Sequence, residues 1–264
     1  MRVLAILETR SGNLSRASIE TVAAAQSLGG ELHLASVGDA AKGFACAQSY
    51  AVTHPLLASY TADGYALAFG QLIRKVSPDL ILLPHTYQVR DFAPKLATRF
   101  GTCLVSDAIA LGENWAERSS FQGKLTVRVS LGERRPSFVS LQAGAWKVEA
   151  AVQGASATEE FLPEISPTSI RQTAEPPFQE SARTVDLAAA EKIVSVGRGI
   201  GEQEQIEVVE QLAKAMGAEL AASRPICDAG WLPMERQVGS SGQDRKSTRL
   251  NSSHTDISRM PSSA

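Results

Sequence analysis

Apolar residues occur in short dense runs, separated by segments where they recur every three or four positions. Residues 3–7 (Val-Leu-Ala-Ile-Leu) form a continuous run, as in a strand covered on both faces. Asn13 or Ser15 can cap a helix reaching about Leu28, with Ile19, Val22, Ala23 and Leu28 on its inner side and Gly29-Gly30 ending it. Residues 31–37 read as the next strand, 40–48 as a short helix, and 50–53 as a third strand before Pro55. Thr61 or Asp63 caps a helix carrying Leu67, Leu72, Ile73 and Val76, which stops before Pro78. Leu80-Ile81-Leu82-Leu83 is a buried strand, and residues 92–100 form a helix with Pro94 in its first turn. Alternation of strand and helix with short joints predicts a parallel sheet covered by helices.

After Val105 the texture changes. Residues 125–131 alternate apolar and polar, as in an antiparallel strand with one wet face, and residues 138–142 are expected to pair with them as a hairpin. Residues 153–183 lose periodicity. Pro163, Pro167, Pro176 and Pro177 mark a strand-poor connector, and the domain boundary is placed near Asp186. The predicted organisation is an N-terminal α/β domain with linker over residues 1–185 and a second α/β domain over 186–243.

The second domain opens with a helical stretch at 187–191 and a strand at 193–196. The turn Gly197-Arg198-Gly199-Ile200-Gly201 follows. Residues 202–216 are amphipathic, with Ile206, Val209, Leu212, Ala213 and Met216 on one face and an i,i+4 pair, Glu210 and Lys214, on the other. Gly217 is placed as a left-handed stop. A short strand at 218–222 delivers Ser223 and Arg224 to its carboxyl end, where open α/β sheets bind ligands. Glycines at a strand-to-helix turn let backbone amides approach an anion, and two arginines at strand ends suit a phosphate-bearing cofactor. Glu202 stands where GxGxxG requires its third glycine, so the common dinucleotide fingerprint fails. An ordinary βα turn would use the same residues, and spacing alone leaves both readings open.

The order V-G-R-G, then S-R-P with D-A-G-W-L-P, then Q-V-G-S-S-G-Q resembles the FAD-binding domain of the electron transfer flavoprotein alpha subunits, the FixB-type subunits included. The likeness covers roughly residues 1–243 and is strongest from 192 onward. It implies a Rossmann-like N-terminal domain without a cofactor of its own, serving as scaffold and interface. It also implies FAD held by Arg198, Ser223, Arg224, Val238, Gly239, Ser240 and Ser241. Arg224 would sit at the flavin N1–C2=O edge and favour the anionic, one-electron-reduced form; Ser241 would meet N5; Arg198 would serve the phosphate-bearing part. The implied partners are an electron transfer flavoprotein beta subunit in a heterodimer, acyl-CoA dehydrogenases as donors, and a membrane quinone oxidoreductase as acceptor. The family's V-x-T-V-R strand end departs here, with Gln142 in place of the arginine.

Composition narrows the alternatives. A formal net charge of −2 argues against nucleic acid or an anionic membrane as partner. The first apolar run ends at Glu8, too soon for a signal-peptide core or a membrane span, which fits a bacterial cytoplasm. Three cysteines, Cys46, Cys103 and Cys227, lie far apart and signal neither zinc nor a disulfide framework. His33, His54 and His85 read as structural, Asp107 as a turn cap, and Ser11–Asn13 as a βα turn. No serine–histidine–acid set or paired carboxylates emerge, so no catalytic residue is assigned.

Residues 244–264 are polar and serine-rich, which predicts disorder. They resemble read-through of a sequencing adapter, so native sequence is expected to end near Gln243, with the FAD-binding domain truncated. Two other readings stay open. One is a fragment that docks the beta subunit without FAD. The other is a nicotinamide-dependent enzyme, which would need a general acid or base near the cofactor.

Overall fold

The computed structural model describes residues 1–10, 12–38, 41–121, 123–175, 187, 190 and 192–238. The chain divides into two compact units, Met1–Glu175 and Pro176–Ala264. The expected boundary near Asp186 lies outside the described residues, as do the tail 244–264 and most of the helix expected at 187–191.

The first unit contains strands β1 (Arg2–Leu7), β2 (Thr9–Arg10), β3 (Asn13–Leu14), β4 (Glu31–Val37), β5 (Gln48–Val52), β6 (Leu80–Pro84), β7 (Leu104–Leu111), β8 (Trp115–Ser120), β9 (Leu125–Ser130), β10 (Ser137–Leu141) and β11 (Thr158–Phe161). Its helices are α1 (Arg16–Ser27), α2 (Ala62–Val76) and α3 (Tyr87–Arg99). The main sheet runs β11-β5-β4-β1-β6-β10-β7-β8-β9. Every pairing from β11 to β7 is parallel, and β8 and β9 add an antiparallel hairpin at one edge.

The period-2 geometry of β1 explains its unbroken apolar run. Val3, Ala5 and Leu7 pack on one face with Val22 and Ala25 of α1. Leu4 and Ile6 pack on the other with Phe69 and Leu72 of α2 and Phe92 of α3. Burying each of the large side chains Phe69, Phe92 and Phe138 contributes roughly 1.5–3 kcal/mol. Caps fix the helix starts. Ser15 accepts from the Ser18 amide, Thr61 from Gly64 and Thr86 from Val89.

Four expectations for the first unit are corrected. Residues 41–47 form no helix. Phe44 bridges Gln153, and the Gln26 side-chain amide donates to the Ala45 and Val152 carbonyls at 3.0 and 2.9 Å. These tertiary bonds outweigh the helix propensity of the alanines. The helix α3 starts at Tyr87 rather than Phe92, because Thr86 caps it, and Pro94 lies in its interior. The connector after residue 153 holds an edge strand, β11, parallel to β5.

The fourth correction concerns the hairpin. Residues 138–141 do not pair with β9. They belong to β10, which is buried along its whole length between β6 and β7 and runs parallel to both. The partner of β9 is β8. Ser140 makes β10 look half-wet in sequence, yet it is buried because the Asp107 amide donates to its Oγ at 3.2 Å and His85 Nδ1 lies 2.9 Å away. Gln142, at the position of the family's arginine, donates to Asp107 Oδ2 at 2.9 Å.

The second unit holds β12 (Ile193–Val196), α4 (Ile206–Met216), β13 (Glu219–Ala222) and α5 (Arg224–Asp228). Strands β12 and β13 pair in parallel from Ile193↔Glu219 to Val196↔Ala222. Ile206 and Ala213 of α4 pack on them with Leu220, Ala222, Ile226 and Leu232, and Gly217 ends α4 at φ 59° as expected. Leu212 and Met216, expected on the inner face, are about half exposed among the described residues. Glu210 and Lys214 form no ion pair there; the i,i+4 pair found is Arg224 with Asp228.

Candidate FAD site

Three strand ends lie side by side in the second unit. Strand β12 stops at Val196 and runs into Gly197 and Arg198. The Ser223 amide donates to the Val196 carbonyl at 2.9 Å, which sets the end of β13 beside that turn. On the other side of β13, Gln237 forms a parallel bridge with Ala222, and the Val238 amide donates to the Ala222 carbonyl at 2.9 Å. Gln237-Val238 therefore enters as a third parallel segment, and β13 lies between its two neighbours. Successive residues of a strand send their amides to opposite sides, so Ser223 is tied to β12 while Ala222 is tied to the returning chain.

The returning chain is also held from below. Arg236 Nη1 donates to the Leu220 carbonyl at 2.7 Å and lies 3.9 Å from Glu219. Cys227, buried at the back of α5, lies with Sγ 3.6 Å from the Pro233 carbonyl. Burial first, then the charges of Asp228 and Glu235, push its thiol up and keep it neutral. Sequence reasoning assigned no role to Arg236 or Asp228. Their contacts depend on a short helix and a returning segment that spacing does not announce.

The sequence-derived residues fall into two groups. Arg198, Ser223, Arg224 and Val238 are brought to the carboxyl ends of adjacent parallel segments, where α/β sheets take ligands. Gly239, Ser240 and Ser241 follow Val238 directly but lie outside the described residues. The glycine turn differs from expectation in one respect. Gly201 takes φ 85° behind a tight turn at Arg198–Ile200, a second turn spans Gln203–Gln205, and α4 begins only at Ile206. The amino end of α4 therefore does not open directly onto the glycines.

Whether these residues suit an anionic, acceptor-rich cofactor is tested by Ser223. Its Oγ is buried and meets no hydrogen-bond partner among the described residues. A buried hydroxyl left so costs about 1–3 kcal/mol. A ligand acceptor at the strand end would remove that cost, and the guanidinium of Arg224 on the adjoining residue is of the right sign for it. Arg198 is exposed. The donor set is cationic and hydroxylic, as FAD requires. Among the described residues, no group of three or more His, Cys, Asp or Glu could hold a metal, and no helix is long and apolar enough to cross a membrane.

The other candidates serve the fold. His54 Nδ1 accepts from the Leu56 amide at 3.1 Å, capping a turn, and His33 lies 3.0 Å from Glu31.

A parallel strand-end cradle of this composition, in a chain with a separate Rossmann-like unit, defines a two-unit α/β nucleotide-cofactor protein. Family comparison sharpens the class. The electron transfer flavoprotein domain matches residues 3–164, and the electron transfer flavoprotein FAD-binding domain matches residues 186–248. The chain belongs to the electron transfer flavoprotein alpha-subunit family, and FAD is the cofactor of its second domain. It is 32% identical over 201 residues to electron transfer flavoprotein subunit alpha of Thermoanaerobacterium thermosaccharolyticum, covering 74% of this chain and 61% of that one. It is 28% identical over 255 residues to the subunit of the same name from Bacillus subtilis, covering 92% of this chain and 78% of the relative. It is 33% identical over 204 residues to Protein FixB of Azotobacter vinelandii, covering 74% of this chain and 57% of that protein. The chain thus spans between about half and four-fifths of these relatives.

Proposed function

We propose that this chain is the FAD-holding subunit of an electron carrier. It works as a heterodimer with an electron transfer flavoprotein beta subunit in a bacterial cytoplasm. It takes electrons from acyl-CoA dehydrogenases and related flavoenzymes and passes them to a quinone oxidoreductase. Bound FAD supplies the redox chemistry; the protein holds the cofactor and tunes it. The observation that carries this reading is the buried hydroxyl of Ser223, without a hydrogen-bond partner among the described residues and next to Arg224 at the carboxyl end of the central parallel segment.

Each residue has a distinct task. Ser223 offers a hydroxyl to an acceptor on the cofactor. Arg224 places a guanidinium, charged at every working pH, where negative charge collects on a reduced flavin. Arg198, in the turn after β12, serves the phosphates with charge-assisted hydrogen bonds. Val238 fixes the register of the chain just before Gly239-Ser240-Ser241, and Ser241 is assigned the flavin N5.

Redox titration of the flavin tests the assignment. Arg224→Ala lowers the midpoint potential, because reduced flavin loses a stabilising cation. An unchanged potential would remove Arg224 from this role.

A further inference from the structure

Arg224 opens α5 and Asp228 closes it, and each charge stands at the unfavourable end of a helix. The amino end disfavours cations and the carboxyl end disfavours anions. A base four residues before an acid is also the weaker order for an i,i+4 pair. Arg224 Nε nevertheless meets Asp228 Oδ2 at 3.3 Å, with both side chains more than half exposed. Helix stability does not account for this pair, whereas a need for a fixed cation at the strand end does.

We infer that Asp228 is a positioning residue that restrains the guanidinium of Arg224, the residue after Ser223, before the flavin is bound. The inference rests on the reading of Arg224 given above. An unrestrained arginine samples many rotamers and must give them up when it takes a fixed partner. A carboxylate one turn along restricts that freedom in advance, which is how preorganisation strengthens binding. The pair is a charge contact, and the two terminal amino groups of Arg224 make no hydrogen bond to a described residue. They are the part of the fork that reaches planar acceptors in pairs.

The test uses the full chain assembled with its beta subunit. FAD affinity and the flavin midpoint potential are measured for wild type, Arg224→Ala, Asp228→Ala, Asp228→Asn and the double alanine variant. Far-ultraviolet circular dichroism checks that each is folded. Asp228→Ala shifts the potential in the same direction as Arg224→Ala and weakens FAD binding. Asp228→Asn, which keeps the size but loses the charge that holds Arg224, shifts the potential the same way. In the Arg224→Ala background, Asp228→Ala adds no further shift. A potential unchanged in Asp228→Ala overturns the tether. A rise in both Asp228 variants also overturns it, since Asp228 would then be a counter-charge. If Arg224→Ala itself leaves the potential unmoved, the reading of Arg224 falls, and the tether with it. A shift with Arg224→Ala but none with Asp228→Ala sinks the tether alone.

Discussion

The Val238 amide donates to the carbonyl of Ala222, at 2.9 Å, on the side of β13 opposite β12. This one bond aligns the returning chain with the strand that delivers Ser223 and Arg224. Val238→Pro removes the donor and leaves the first unit untouched. FAD affinity is expected to fall about tenfold, the equivalent of one lost backbone hydrogen bond. Isothermal titration of FAD into the apo complex measures it, and an unchanged affinity would mean that the alignment does not matter for the site.

Arg198 lies in the turn after β12 and is exposed. If it serves the phosphates, Arg198→Ala weakens FAD binding by roughly 10- to 100-fold, the range of a charge-assisted hydrogen bond. Added salt screens an exposed charge, so the gap between wild type and variant should narrow as ionic strength rises. A gap that is absent, or indifferent to salt, assigns the phosphate contact elsewhere.

The first unit carries its own pH dependence. Asp63 in the first turn of α2 is buried, and Arg171 meets its carboxylate oxygens at 3.2 Å through the backbone amide, Nε and Nη2. Lys95 adds a contact at 3.4 Å. The Arg171 hydrogen bonds lead in lowering the pKa, and burial opposes them; the carboxyl titrates at about 2 instead of 3.8. A carboxylate depressed on folding contributes stability that is fully present above its unfolded value and lost as pH falls through the folded one. Asp63→Asn is therefore expected to cost about 1–3 kcal/mol near neutrality. That cost should fade between about pH 4 and pH 2. Urea melts at several pH values report it; a cost that persists unchanged into acid would contradict the ion-pair origin.

Gly29-Gly30 reads in sequence as a helix stop, and Gly29 fills that part at φ 67°. Gly30 has a different reason to lack a side chain. A Cβ there would lie 2.4 Å from the Met1 carbonyl oxygen, which accepts from the Glu31 amide at 3.0 Å. Gly30→Ala must push β1 away from β4, at an expected cost of about 1–3 kcal/mol. A thermal melt equal to wild type would show that the strand yields freely.

Much of this architecture could be read from the sequence where burial and pattern agree. Leu80–Pro84 is apolar throughout because both faces of β6 are covered, and Gly217 marks the end of α4 because only a left-handed residue fits there. Elements failed to show where polar residues are buried or apolar ones scarce. Ser140 disguised β10, since its hydroxyl is satisfied by neighbours 33 and 55 residues away. Strand β8 reads Trp-Ala-Glu-Arg-Ser-Ser and owes its form to pairing on both sides with β7 and β9. At the candidate site, residue types and order put Ser223 and Arg224 forward. The link to Asp228 stayed hidden, because it exists only if a five-residue helix forms immediately after β13.

The most direct test counts flavin. The full chain is co-purified with its beta subunit, supplied with FAD, freed of excess by gel filtration, and its protein-bound flavin measured by absorbance. An FAD-holding subunit emerges yellow with about one FAD per heterodimer. A folded, assembled complex that stays colourless after FAD is supplied would contradict it.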